Sequence, residues 1–528
     1  MSRKTQVSFT HLFSSLKAEF TPWSILAISF LAALLLSIHL PPCEILGALT
    51  LILLLWLIPT HANHYLLLTL PVIFAATPSV PQGLTPSLII SSLYILLILS
   101  RFILRNQVCQ NICDSFRRPH WRIFIAVILL FVAANFYIAV FESHVSVVSW
   151  LRGITPFSLL CLIPIFSTAY KLHPELIYYQ PFYLAGAGLI HVSTVLEAYC
   201  SNSLWKDLRW RYIESTTSWK RLPDTYPLSP DALLTKLRVS ILEPNSTSFL
   251  IIISGIIAVY LIYQSSRKRS LTVGALLLSI VIFTILASYT RSMLAVSLIG
   301  ILFIATISLF TLQNGLFVRR SLLTATIVIV MTLVSINVQG TGQIIKNRFY
   351  VTQSSFQRPS SRPENQNNTL AQKRGLLPTN SKDPNIASRL YETEAALRIY
   401  QSSPLFGAGF GVQYTIPREV NLGRTIYKPT AYTHNLLTYM LMTSGWVGLL
   451  LALSLYAFMF HRYIRMYRFL PALSNIATIQ ITITMAMLIY SMFFAVFRLP
   501  IYNFSLALLA GLAFTPYSHL VHSVTEDV

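Results

Sequence analysis

Acidic side chains are scarce in this chain. Its 528 residues hold 18 Asp+Glu against 39 Lys+Arg, a formal net charge of +21, and charged residues together make up only 11%. A soluble domain carries about 25% charged residues, so a fully water-facing surface is excluded. Cysteine is scarce as well: Cys43, Cys109, Cys113, Cys161 and Cys200 form no CxxC pair and no zinc-ligand spacing. Neither a disulfide framework nor a metal site is expected. No GxSxG and no HExxH occurs, which removes the nucleophile elbow and the zinc-protease helix. Internal repeats of 20–50 residues and heptads are missing too. No A-x-A-like cleavage site follows the first apolar run, which reads as a signal anchor and first helix.

What is present is apolar. Hydrophobic residues make up 54% of the chain, and the mean hydropathy is +0.61. A bilayer absorbs that excess and a water-soluble core does not. Apolar segments recur at 22–40, 45–59, 65–78, 86–104, 121–141, 151–169, 182–198, 248–264, 271–290, 292–311, 321–338, 436–459, 472–495 and 500–515. The expected fold is all-α: a polytopic transmembrane bundle of 12–14 helices, with one large exported loop containing short amphipathic helices.

Lys/Arg bias in short loops sets the orientation. Arg101, Arg105, Arg117, Arg118 and Arg122 form one cluster, and Arg267, Lys268 and Arg269 a second. Arg319 with Arg320, and Arg462 with Arg465 and Arg468, complete the set. With the N-terminus inside, all four share the inner side, and fourteen spans return the C-terminus there. Three parts follow: transmembrane helices over 1–338, with an exported loop at 199–247; a large exported catalytic loop at 339–435; and C-terminal helices over 436–528. The middle of the large loop, Gln353 to Asp383, is rich in Ser, Asn, Gln and Pro and reads as flexible. The loop carries twelve Lys/Arg against five Asp/Glu. It reads either as a solvated basic loop or as a surface for an anionic substrate. Nucleic acid is not expected as a partner; membrane lipids and phosphate-bearing groups are.

The span interiors hold almost no Asp, Glu, Lys or Arg, which argues against an ion-coupled transporter. The first exported turn offers only Glu44. An acidic pair for a metal-bound lipid donor is therefore missing, and no cofactor is expected. The remaining candidates are Arg and His at the outer helix ends. Arg291 lies in the tight turn Ser288-Tyr-Thr-Arg-Ser292. It reads either as a snorkelling interfacial arginine or as a bidentate phosphate ligand. Asp383-Pro384 reads as an N-cap and first helical position. The helix it opens carries Ile386, Leu390, Thr393, Leu397 and Tyr400 as an apolar stripe flanked by Arg389. Pro404 ends it, followed by Gly407, Gly409 and Gly411, which read as a flexible turn or as an amide nest for an anion. Tyr432-Thr433-His434-Asn435 closes the loop directly before a span. His434 reads as an interfacial cap or as a general base.

These segments resemble the O-antigen ligase family. The resemblance rests on "SYTRSMLAVSLIGI", on Ser388-Arg389 with "AALRIYQSSPLFGAGFG", and on "THNLLTYMLMTSGWVGLL", in that order around one exported loop. It covers roughly 280–460; the first half matches only as generic spans. Thr393 stands where the family often has Trp, and Arg291-Ser292-Met293 departs from its usual small residue. The resemblance implies a metal-independent glycosyltransferase in the bacterial plasma (inner) membrane. The donor would be an undecaprenyl-diphosphate-linked glycan, and the acceptor a sugar hydroxyl on lipid A-core (ligase) or on the growing glycan (polymerase). His434 would be the general base, with Arg291 and Arg389 clamping the diphosphate. Arg152, Gly407, Gly409, Gly411 and Asn435 would contact substrate. A polysaccharide flippase or exporter, and a non-catalytic assembly protein, are the readings from other classes.

Overall fold

The computed structural model describes residues 21–37, 41–58, 64–76, 86–104, 106–117, 119–200, 244–264, 268–287, 291–311, 314–337, 384–420, 424–517 and 519–520. The stretch expected to be flexible, Gln353 to Asp383, and nearly all of the loop expected to be exported at 199–247 lie outside them. The described chain is helical apart from one hairpin. In order, the helices are α1 (Pro22–Ser37), α2 (Pro41–Leu57), α3 (Leu66–Phe74), α4 (Pro86–Ile103), α5 (Asn106–Arg117) and α6 (Pro119–Tyr137). There follow α7 (Val147–Ser158), α8 (Ile163–Leu172), α9 (Leu176–Cys200), α10 (Pro244–Gln264), α11 (Lys268–Ala287), α12 (Arg291–Thr311) and α13 (Asn314–Asn337). The amphipathic α14 (Pro384–Ser402) leads to the antiparallel strands β1 (Tyr414–Val420) and β2 (Arg424–Thr430), with Tyr414 opposite Thr430. The long α15 (Leu436–Phe469), then α16 (Ser474–Ser491) and α17 (Pro500–Phe514), end the bundle.

Every expected apolar span coincides with helix. Six helices among the described residues are long and apolar enough to cross a membrane, or seven if a pair bent by 81° counts as one span, and five further apolar helices have 10–17 residues. The shorter ones include α17, whose side chains from Ile501 to Ala513 are all buried. A helix wrapped by protein has its backbone satisfied internally and need not match the lipid thickness. Helix α10 is likewise central, packing on α9, α11, α12 and α16. The outer helices show Leu129, Leu130, Leu322, Ile329 and Leu333 to the surroundings, an apolar rim suited to lipid and not to water.

Three arginines of the clusters expected on the inner side have definite work. Arg101 donates to the carbonyls of Leu55 (2.6 Å) and Ile58 at the end of α2. Arg320 donates to Ile262 O (2.7 Å) at the end of α10, and Arg462 to Ala513 O (2.8 Å) and Thr515 O (2.6 Å) at the end of α17. Each guanidinium thus satisfies orphan carbonyls at the negative end of a helix dipole.

Candidate active site

The site is built where α14, the glycine segment and the start of α15 meet. Asn435 caps α15: its Oδ1 accepts from the amides of Leu437 (2.8 Å) and Thr438 (3.4 Å). The capping role entertained for His434 therefore belongs to Asn435, and the Asn435 side-chain oxygen is committed to the helix. His434 is left to turn toward α14. Its Nδ1 lies 2.6 Å from Glu392 Oε2, and its own amide donates to the same oxygen at 3.3 Å. The His434 side chain is 34% exposed and that of Glu392 only 5%. Where the carboxylate accepts this bond, the proton sits on Nδ1 and Nε2 keeps its lone pair. This is the arrangement by which a carboxylate fixes the tautomer and orientation of a general base.

Aromatic and cationic groups enclose the pair. The Tyr432 ring stands edge-on to His434, with centroids 5.6 Å apart. On it lies Arg498, with Cζ 4.1 Å from the ring centroid. Tyr414 donates to Tyr432 O at 2.6 Å. Burial pushes the Tyr414 phenol well up from its ordinary value, and the nearby Glu392 charge adds to it. Arg389 is half-buried on α14, with Cζ 5.3 Å from the Phe494 ring.

The face that α14 buries differs from the expected stripe. Leu390 and Leu397 are exposed, while Tyr391, Glu392 and Ala396 are buried. Small Ala396 lets the helix approach α15, and that approach turns Glu392 inward to His434.

The glycine segment also has a different role from the anticipated one. Helix α15 breaks at Gly445 (φ 60°, ψ −160°). In an unbroken helix the amides of Trp446 and Val447 would bond to the carbonyls of Met442 and Thr443. Here Trp446 donates to Pro404 O (3.0 Å) and Val447 to Leu405 O (3.1 Å), while Met442 O accepts from Ala408 (2.8 Å) and Thr443 O from Gly409 (3.0 Å). The loop is thus inserted into the helix's own hydrogen-bond ladder, two to three turns below its start, or roughly 12 Å. Gly407 (φ 67°) and Gly445 require glycine: a Cβ on Gly407 would strike the backbone of Thr443 and Ser444, and one on Gly445 the backbone of Leu405. The Gly407 amide donates to Ser403 O. An amide nest offered by Gly407 and Gly409 is therefore ruled out, since both amides are already donated within the protein.

Asn135 of α6 holds this insertion in place. It is 1% exposed. Its Nδ2 donates to Thr443 O (2.8 Å), and its Oδ1 accepts from the Phe410 amide (3.0 Å) and Trp150 Nε1 (3.1 Å). Arg152 is exposed on α7, one residue before Gly153, which abuts the backbone of Gly411. Arg291 is the first residue of α12.

Sequence reasoning missed Glu392 and Arg498. Glu392 follows Arg389 by three residues, one helical turn, which was the available signal. Arg498 sits in the short turn before α17, and nothing in its local pattern marks it. No third His, Cys, Asp or Glu joins His434 and Glu392 as a metal set among the described residues; the one group of three close enough is His64, His173 and Glu175.

Fold and site define a multi-pass helical membrane protein with a carboxylate-held histidine at a helix N-terminus, beside a loop inserted into that helix. Residues 276–453 match the family model described as O-antigen ligase. The matched stretch contains Arg291, Glu392, the glycine segment and His434. A comparison with curated proteins finds no match.

Proposed function

We propose that this protein transfers a glycan from an undecaprenyl-diphosphate carrier to a sugar hydroxyl at the outer face of a bacterial plasma membrane, with both termini cytoplasmic. The observation that carries the reading is the His434–Glu392 pair inside the matched domain. His434 Nε2 takes the proton of the acceptor hydroxyl as the new anomeric C–O bond forms. The bond from the anomeric carbon to the diphosphate breaks, and the lipid diphosphate leaves with the electron pair. Glu392 steadies the imidazolium that results.

The leaving diphosphate gains charge, and cations stabilise it. Arg389 and Arg498 flank the pair, and Arg291 and Arg152 complete the clamp. Arginine is suited to this task because its planar fork binds phosphate bidentately. In this scheme side-chain charge takes the place of a divalent metal. Asn435 supports the site by placing His434 at the helix start, and Gly407, Gly409 and Gly411 support it by seating the loop, with no direct contact to the diphosphate.

The test is surface-glycan gel profiling of a deletion strain complemented with wild type or with His434→Ala. Restoration by wild type alone, at equal expression, supports the reading. Glycan polymer retained on the carrier then identifies a ligase acting on lipid A-core, and single repeat units identify a polymerase acting on the growing glycan. Full complementation by His434→Ala overturns the catalytic assignment and moves an exporter or an assembly protein ahead.

A further inference from the structure

A second cluster of ligand-type side chains lies far from His434. His64 immediately precedes Tyr65 and α3, while His173 and Glu175 sit in the turn between α8 and α9. The nearly continuous helical run Val147–Leu172 begins beside the glycine segment and ends at this turn. Its 26 residues span about 39 Å at 1.5 Å per residue, so the cluster occupies the other end of that span.

The three side chains converge on one oxygen. Glu175 Oε1 lies 3.1 Å from His64 Nε2 and 3.3 Å from His173 Nδ1. One ligand atom from each residue falls within 4.8 Å of the others. Two ligand atoms that each lie about 2.0–2.1 Å from a tetrahedral ion are separated by about 3.3 Å, close to the two distances from Glu175. The two imidazoles stack with centroids 3.7 Å apart and planes 9° apart, and the His64 ring also meets Tyr65 at 4.2 Å. Both rings thus present a nitrogen to the same carboxylate, and an ion that meets both lone pairs in plane requires one imidazole to turn out of the stack. The side chain of His64 is 7% exposed, that of His173 26% and that of Glu175 41%. One wall is therefore buried and the other open to water, which can supply a fourth ligand.

We propose that His64, His173 and Glu175 bind a divalent transition-metal ion of the zinc class, tying the start of α3 to the α8–α9 turn. Imidazole and carboxylate donors in this number suit zinc, and three protein ligands with water complete four-coordination. The site is structural and separate from glycan transfer; it stands whether or not that function holds.

The test uses the full-length protein in detergent, purified through a tag that contains no histidine. The protein is loaded with equimolar zinc and desalted, and its metal content is measured by mass spectrometry. Wild type and His434→Ala should each retain about one zinc per chain. His173→Ala and Glu175→Gln should retain at most a tenth of that. These two positions are partly exposed, so their replacement leaves the fold intact, and an unchanged gel-filtration profile checks it. Cobalt in place of zinc should give visible absorption bands of tetrahedral type in wild type and not in His173→Ala. Zinc content equal in wild type and both cluster variants overturns the proposal, as does a wild-type protein that holds no metal; the second result leaves a hydrogen-bonded His–Glu cluster.

Discussion

Asn135→Leu is the most informative structural perturbation. Leucine matches asparagine closely in volume, so the change deletes three buried hydrogen bonds without opening a large cavity. Thr443 O keeps its bond from Gly409 (3.0 Å) and loses little. The Phe410 amide and Trp150 Nε1 lose their partner. Side-chain hydrogen bonds between membrane helices average about 0.6 kcal/mol, which sets a floor of about 2 kcal/mol for three. Orphaning a buried donor costs about 1–3 kcal/mol, and two donors raise the total toward about 5 kcal/mol. Denaturant unfolding of the purified protein in detergent should show a loss in this interval, with faster hydrogen exchange at Ala408 to Phe410. Trp150→Phe removes one of the two donors and should cost about 1 kcal/mol. Added to Asn135→Leu it should cost less than it does alone, because the two changes share a bond. A loss under about 0.5 kcal/mol for Asn135→Leu would refute the idea that this side chain pins the inserted loop.

Gly445→Ala should abolish folded expression: its φ of 60° is costly for any side chain, and the new Cβ meets the Leu405 backbone. Gly315→Ala, where a Cβ meets nothing within 4 Å, should leave the fluorescence gel-filtration profile unchanged. Arg498→Ala should lower glycan transfer by about tenfold or more, and Arg498→Lys should restore only part of it because the flat contact with Tyr432 is lost; steady-state rates on reconstituted protein measure both. Tyr414 is held neutral by burial, so its contribution is complete below its ordinary value of 10.0 and is lost as pH rises above it. The thermal-midpoint gap between wild type and Tyr414→Phe should therefore shrink above pH 10, and a gap independent of pH would contradict the assignment.

The helices were legible because a bilayer enforces one simple rule, a long apolar run for each crossing. Segment 500–515, short for a span, still marked α17 correctly, and its shortness reflects burial among other helices. His434 was legible because it stands directly before an apolar run, where a helix must begin. Its partner was not: Glu392 lies 42 residues away, and only the docking of α14 on α15 brings the two together. The periodicity of α14 pointed to Leu390 and Leu397, yet in a membrane protein an exposed leucine can face lipid and a buried face can be small and polar. The glycine run looked like a turn or an anion site. Its use as an insert in another helix's ladder depends on the break at Gly445, and a Gly-x-x-Gly pair within a span does not announce such a break. Arg498 carried no local signal because its meaning comes from stacking on Tyr432, 66 residues earlier.

The central claim is that His434, held by Glu392, removes the acceptor proton. It is tested most directly by single-turnover transfer in proteoliposomes, with a lipid-diphosphate-linked glycan donor and a defined acceptor. His434→Ala should slow the bond-forming step by about 10²–10⁴-fold, the usual range for a general base. Glu392→Gln keeps an acceptor for Nδ1 but loses the charge-assisted part of the bond. That is worth about 1–1.5 kcal/mol, or about tenfold in rate. Rates within threefold of wild type for folded His434→Ala would contradict the account.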